Sequence, residues 1–218
     1  MKTINNNKNE NYIKMINCEV YDPSDDYLKK TRNKAHKLFY KYNNTRLNTK
    51  RKKILDKLIP ENNGVYLEGP IFVDYGINTS FGKGCYANFN LTILDTCFVK
   101  IGDNVFIGPN VSIVTPLHPL NKEERRMYVN DKGIFTDKEM GKPITIENDV
   151  WICSNVVICG GVTIGSGSVI GAGSVVAKSI PSNVVAAGNP CKVIKQLIDN
   201  NGGHHDWNFN WFKRKKKL

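Results

Sequence analysis

Of the four histidines in this 218-residue chain, His36, His118, His204 and His205, only His118 falls in the middle of the sequence, within TPLHP. A single neutral imidazole is suited to general-base chemistry, taking the proton from a hydroxyl as that oxygen attacks a carbonyl carbon. A catalytic zinc would need about three protein ligands, and the middle of the chain offers one histidine. No other His/Cys cluster has ligand spacing, so no metal is expected. The six cysteines, at positions 18, 85, 97, 153, 159 and 191, form no Cys-x-x-Cys pair and are too sparse for a disulfide scaffold. They read as free thiols packed as small hydrophobes.

What must position His118 is a repeat. From residue 146 the chain reads in sixes as IENDVW, ICSNVV, ICGGVT, IGSGSV, IGAGSV and VAKSIP. The first place is always aliphatic: Ile146, Ile152, Ile158, Ile164, Ile170 and Val176. The same frame appears earlier at Ile101, Ile107 and Ile113, and more weakly from about Val65 to Asp95. A period of six fits neither a helix nor a half-buried strand of period two. It fits a solenoid in which one aliphatic per short segment points inward, small residues turn the corners, and coils stack about 4.8 Å apart.

The flanks differ. Residues 1–12 are rich in Asn and Lys and are expected to lack order. In residues 13–60 the apolar positions Leu28, Ala35, Leu38, Phe39, Tyr42, Ile54, Leu55 and Leu58 recur at helical spacing. They predict two amphipathic helices joined near Asn43-Asn44-Thr45. Asp25 and Asp26 suit the positive end of the first helix dipole. The coil should occupy residues 61–190, with a charged excursion over 114–143 that leaves right after His118. Long loops in compact domains are commonly functional, and this one predicts a lid or neighbour-contacting arm. Residues 191–218 should hold a short capping helix, with Val193, Ile194 and Leu197 on one face, and a basic tail.

The net charge of +11 invites a nucleic-acid reading. Counted by segment, however, residues 1–60 hold 15 Lys+Arg against 6 Asp+Glu, residues 61–190 hold 9 against 12, and residues 191–218 hold 7 against 2. The positive excess therefore sits at the two ends, and the centre is slightly acidic, which argues against nucleic acid as the partner. No apolar run approaches the roughly 20 residues of a membrane helix, and no apolar secretory segment opens the chain. A soluble, cytoplasmic protein is expected.

The hexapeptides resemble those of the hexapeptide-repeat acyltransferases, whose left-handed parallel β-helix is three-sided. The segments EVYDPSDDYLKKTRNKAHKLFYKYN, VDYGINTSFGKGCYANFNLTILD, IGDNVFIGPNVSI before TPLHPL, GKPITIENDVWIC and SIPSNVVAAGNPCKVIK narrow the resemblance to the maltose and galactoside O-acetyltransferases. That resemblance implies acetyl transfer from acetyl-CoA to a sugar or similar small hydroxylated acceptor, in a ternary complex on a homotrimer. It implies His118 as the base, Glu139 as the carboxylate that orients it, and Asn88 as a further catalytic group. Acceptor contacts would fall on Asp22, Asp74, Asn88 and Asp95. Acetyl-CoA contacts would fall on Trp151, Ser154, Ala172, Ala177, Lys178, Lys192 and Lys195, with Cys153 where the family usually has glycine. Read without the family, Asp74 and Asp95 are also residues that turns favour, Glu139 a solvated loop charge, Lys192 and Lys195 surface lysines, and Trp151 a packing residue. Two other functions share the coil: drug O-acetyltransferases, which lack the N-terminal helical segment, and a non-catalytic binding module.

Overall fold

A computed structural model describes residues 9–197, in which the sixfold period becomes a three-sided parallel β-helix. The first face carries Tyr66–Leu67, Tyr86–Ala87, Phe106–Ile107, Trp151–Ile152, Val169–Ile170 and Val184–Ala187. The second carries Ile71–Val73, Leu91–Leu94, Ser112–Val114, Val157–Cys159 and Val175–Val176. The third carries Thr79–Phe81, Val99–Ile101, Ile144–Ile146 and Thr163–Ile164. Successive coils keep one register, so Ile93, Ile113 and Ile158 stack in a column.

The repeat aliphatics form the core. Ile101, Ile107, Ile113, Ile146, Ile152, Ile158, Ile164, Ile170 and Val176 are all at most 4% exposed. Burying each side chain contributes about 1.5–3 kcal/mol. Such short strands are held by this column rather than by their own length. At the corner between the first and second faces, Asn90, Asn110, Asn155 and Gly173 adopt left-handed φ of 61°, 59°, 59° and 72°. Asparagine and glycine are the residues that tolerate that conformation.

Helices α1 (Glu10–Ile16), α2 (Asp26–Asn43) and α3 (Asn48–Leu58) precede the coil. Order begins earlier than expected, because Asn9 accepts from the Tyr12 amide and α1 buries Tyr12 and Met15. Asp25 caps α2 by accepting from the amides of Tyr27 and Leu28. The pair α2 and α3 closes the first coil: Tyr42 donates to the Leu67 carbonyl at 2.6 Å, and Arg51 to those of Leu67 and Glu68 at 3.1 and 2.6 Å. Groups that a first coil leaves unpaired are thereby satisfied.

At the other end the expected capping helix is a strand. Lys192–Gln196 runs antiparallel to Val184–Ala187, because the open edge of the last coil offers unpaired backbone groups and Val193 and Ile194 favour an extended chain. The remainder of the tail, from residue 198, lies outside the described residues, as do residues 1–8. All six cysteines are free, with Cys18 Sγ 3.8 Å from Cys97 Sγ. No helix among the described residues is long and apolar enough to cross a membrane.

The excursion is built rather than irregular. Pro116–Leu117 pairs antiparallel with Met140–Gly141, and Tyr128–Val129 pairs with Phe135–Thr136 in a hairpin. A Cβ on Gly141 would lie 2.8 Å from Cys97 Cβ and 2.9 Å from Thr96 Oγ1, so only glycine lets the returning limb approach the coil this closely.

Candidate active site

The second face ends at a corner where Asp74, Asp95 and the start of the excursion stand on successive coils. Here His118 is exposed on the rim. Its Nδ1 lies 3.2 Å from Asp137 Oδ2 and 3.4 Å from the Lys138 carbonyl. A nitrogen that faces two acceptors carries the proton, which leaves the lone pair on Nε2.

Glu139, expected to orient this ring, is engaged elsewhere. Its backbone bridges Tyr21, accepting from the Tyr21 amide at 2.9 Å, and its carboxyl sits beside the Tyr21 phenol. Burial raises the Glu139 pKa, opposed by that phenol and by the field of His118. Among the described residues no hydrogen bond joins its side chain to His118. The Tyr21 hydroxyl is itself buried beside this carboxyl.

The expected acceptor contacts divide. Asp74 is half-buried and lies 3.3 Å from His36 Nε2. Asp95 corrects the sequence expectation: it is 0% exposed and accepts from the Tyr75 amide at 2.7 Å, Thr79 Oγ1 at 3.0 Å and the Asn78 amide at 3.3 Å. Its side chain turns into the coil because these donors sit beneath the corner, so it supports the site from below and offers no surface contact. Asp22 is likewise occupied: Oδ1 accepts from Thr136 Oγ1 and the Ser24 amide, both at 2.8 Å, and Oδ2 from Asn130 Nδ2 at 2.7 Å.

The residues expected to hold the acetyl donor gather around the first face, except Ala177 and Lys178. Trp151, Val169, Val185 and Lys195 are successive register partners, and Val185 points outward between buried Val184 and Ala186. Lys192 and Lys195 are three apart and would face opposite ways in a regular strand. The register shift between Val185 and Ala186 pairs them with Ala187 and Val185, two residues of one face. Ser154 and Asn88 stand where the chain leaves the first face for the second. Among the described residues nothing accepts the Ser154 amide proton, whereas Asn88 Oδ1 accepts from the Phe89 amide at 2.8 Å. Cys153 stacks between Gly108 and Gly171, half-buried, with its thiol pKa raised by burial. Exposed Ala172 stacks over Ser154, while Ala177 and Lys178 follow Val175–Val176, at the His118 corner.

Asn88 and Ser154 therefore enter the second face, and His118 leaves it. The four residues of Leu91–Leu94 alone put about 10 Å between those corners. Sequence reasoning missed His36, Asn130, Thr136 and Asp137. A carboxylate close to a histidine was the only available signal for Asp137, and loop geometry decides such pairs.

Residues 14–61 match the family model for the maltose acetyltransferase hexapeptide capping motif, 143–178 that for the bacterial transferase hexapeptide (six repeats), and 98–117 that for the hexapeptide repeat of succinyl-transferase. The galactoside O-acetyltransferase of Lactococcus lactis is 36% identical over 203 residues, which cover 91% of this chain and 94% of that protein. The crystal structure of a maltose O-acetyltransferase from Clostridium difficile superposes with a TM-score of 0.79 at 40% identity, covering 87% of this chain and 98% of the other. A galactoside acetyltransferase in complex with coenzyme A gives 0.78 at 38% identity, covering 91% and 96%.

Proposed function

The chain belongs to the hexapeptide-repeat acetyltransferases that carry the maltose acetyltransferase capping motif, and from that membership we propose acetyl transfer from acetyl-CoA to a hydroxyl of a sugar or similar small acceptor. The acceptor oxygen bonds to the thioester carbonyl carbon while its proton passes to His118 Nε2. The C–S bond then breaks, and the imidazolium returns the proton to sulfur, releasing free coenzyme A. No acyl-enzyme forms. The Ser154 amide and Asn88 face the developing oxyanion, where one such donor lowers the barrier by about 3 kcal/mol. Trp151, Ala172, Ala177 and Lys178 line the pantetheine arm, Lys192 and Lys195 meet the nucleotide phosphates, and Asp74 meets the acceptor.

The observation that carries this reading is the separation of the two corners. Within one chain the base and the groups proposed to face the oxyanion, the Ser154 amide and Asn88, stand at opposite ends of the second face. A second copy that sets its first face against this exit corner joins them, and three copies close the arrangement around one axis. The test is an acceptor screen with acetyl-CoA that follows free thiol release. Sugars should stimulate release, and His118→Asn should lower it by about two to four orders of magnitude. Thiol release from no acceptor at all would leave a binding module instead.

A further inference from the structure

We propose that Asp137 is the positioning residue of this site, holding His118 with Nδ1 protonated and compensating the imidazolium that forms as the acceptor gives up its proton. The proposal rests on His118 being the base. Asp137 Oδ2 is 3.2 Å from Nδ1, at ion-pair distance, while the Lys138 carbonyl, at 3.4 Å, takes the hydrogen bond of that nitrogen. A carboxylate so placed favours the Nδ1–H tautomer and, through its charge, the cationic ring.

The carboxylate is fixed from both sides in sequence. Thr136, immediately before it, is 3% exposed and donates to Asp22. Two residues after it, Glu139 bridges Tyr21, and Met140–Gly141 then pairs with Pro116–Leu117, the residues that lead into His118. Ring and carboxylate thus descend from the two limbs of one antiparallel pair, and neither limb moves without the other. The Glu139 carboxyl, by contrast, sits beside the Tyr21 phenol and makes no hydrogen bond to the ring among the described residues. The pair is partly open to water, with His118 and Asp137 side chains 49% and 27% exposed, so its effect should be moderate.

The experiment compares Asp137→Ala, His118→Asn and the double variant, with circular dichroism and sedimentation to check that each remains folded and assembled. Asp137→Ala should lower kcat about tenfold, with KM for acetyl-CoA within about twofold of the parent. In the His118→Asn background it should change the residual rate by less than about twofold, because a residue that acts through the ring has nothing left to act on. Nitrogen-15 spectra of the ring should show Nδ1–H in the parent and a drift toward the Nε2–H form in Asp137→Ala. An unchanged kcat in Asp137→Ala, or an equal loss with and without His118, overturns the proposal while the base reading stands. Full activity in His118→Asn overturns both.

Discussion

Thr136 Oγ1 donates to Asp22 Oδ1 at 2.8 Å, across 114 residues of sequence, and Asn130 closes on the other oxygen at 2.7 Å. One carboxylate thereby ties the excursion to the start of α2. Burial alone would raise the Asp22 pKa, but the bonds from Ser24, Asn130 and Thr136 outweigh it and leave the pKa lowered. The anchor is therefore complete above the ordinary carboxylate range and is lost as pH falls through the depressed native value, below about pH 4. A hydrogen bond to a charged group contributes about 1.5–3 kcal/mol, so Asp22→Ala should speed tryptic cleavage at Lys122, Arg125, Arg126 and Lys132 by about tenfold or more. Thr136→Val should move cleavage the same way by less. Unchanged cleavage with a raised acceptor KM would make Asp22 an acceptor contact instead.

The two separated corners predict complementation between inactive chains. Ser154→Pro removes the amide proton, and its fold is tolerable because Pro109 occupies the stacked position one coil earlier. Co-expressed in equal amounts with His118→Asn, it should give about a quarter of parental activity, since each site between copies needs one intact base and one intact donor corner. Activity no higher than that of either variant alone would place the whole site in one chain.

Lys195 lies in the outward row that runs through Trp151, and the bulge brings Lys192 to the same face. Charge reversal at either lysine should raise KM for acetyl-CoA about fivefold at low salt, with little change for the acceptor, and added salt should shrink the effect. An equal penalty toward a donor analogue without the ribose phosphate would assign these lysines a different role.

The coil was legible because one aliphatic every sixth residue leaves no other way to bury Ile101 through Val176. The last strand was not, since Val193, Ile194 and Leu197 satisfy a helical period and only the open edge of Val184–Ala187 selects the extended form. The excursion's hairpin is built of two-residue strands whose partners no periodicity reveals. At the site, the residue types could be read from the family resemblance, but side-chain direction could not. Asp95 turns inward to the donors of Tyr75, Asn78 and Thr79, while Asp137, outside any motif, turns toward the ring.

Asp95 also sets a pH dependence. Burial pushes its carboxyl up to about 6, with the amide of Tyr75 and the hydroxyl of Thr79 pulling the other way, against 3.8 for an ordinary aspartate. Between those values the native chain holds a proton that the unfolded chain has released. The stability from this group is therefore full below about pH 4 and is lost as pH rises through about 6, a swing of at most about 3 kcal/mol. Asp95→Asn removes the titration and adds a constant penalty, because its amide donors face other donors. Urea unfolding of parent and variant at pH 4, 5, 6 and 7 should then show the parent's advantage shrinking as pH rises. An advantage that grows with pH would mean that the donors outweigh burial and that Asp95 is charged in the folded coil.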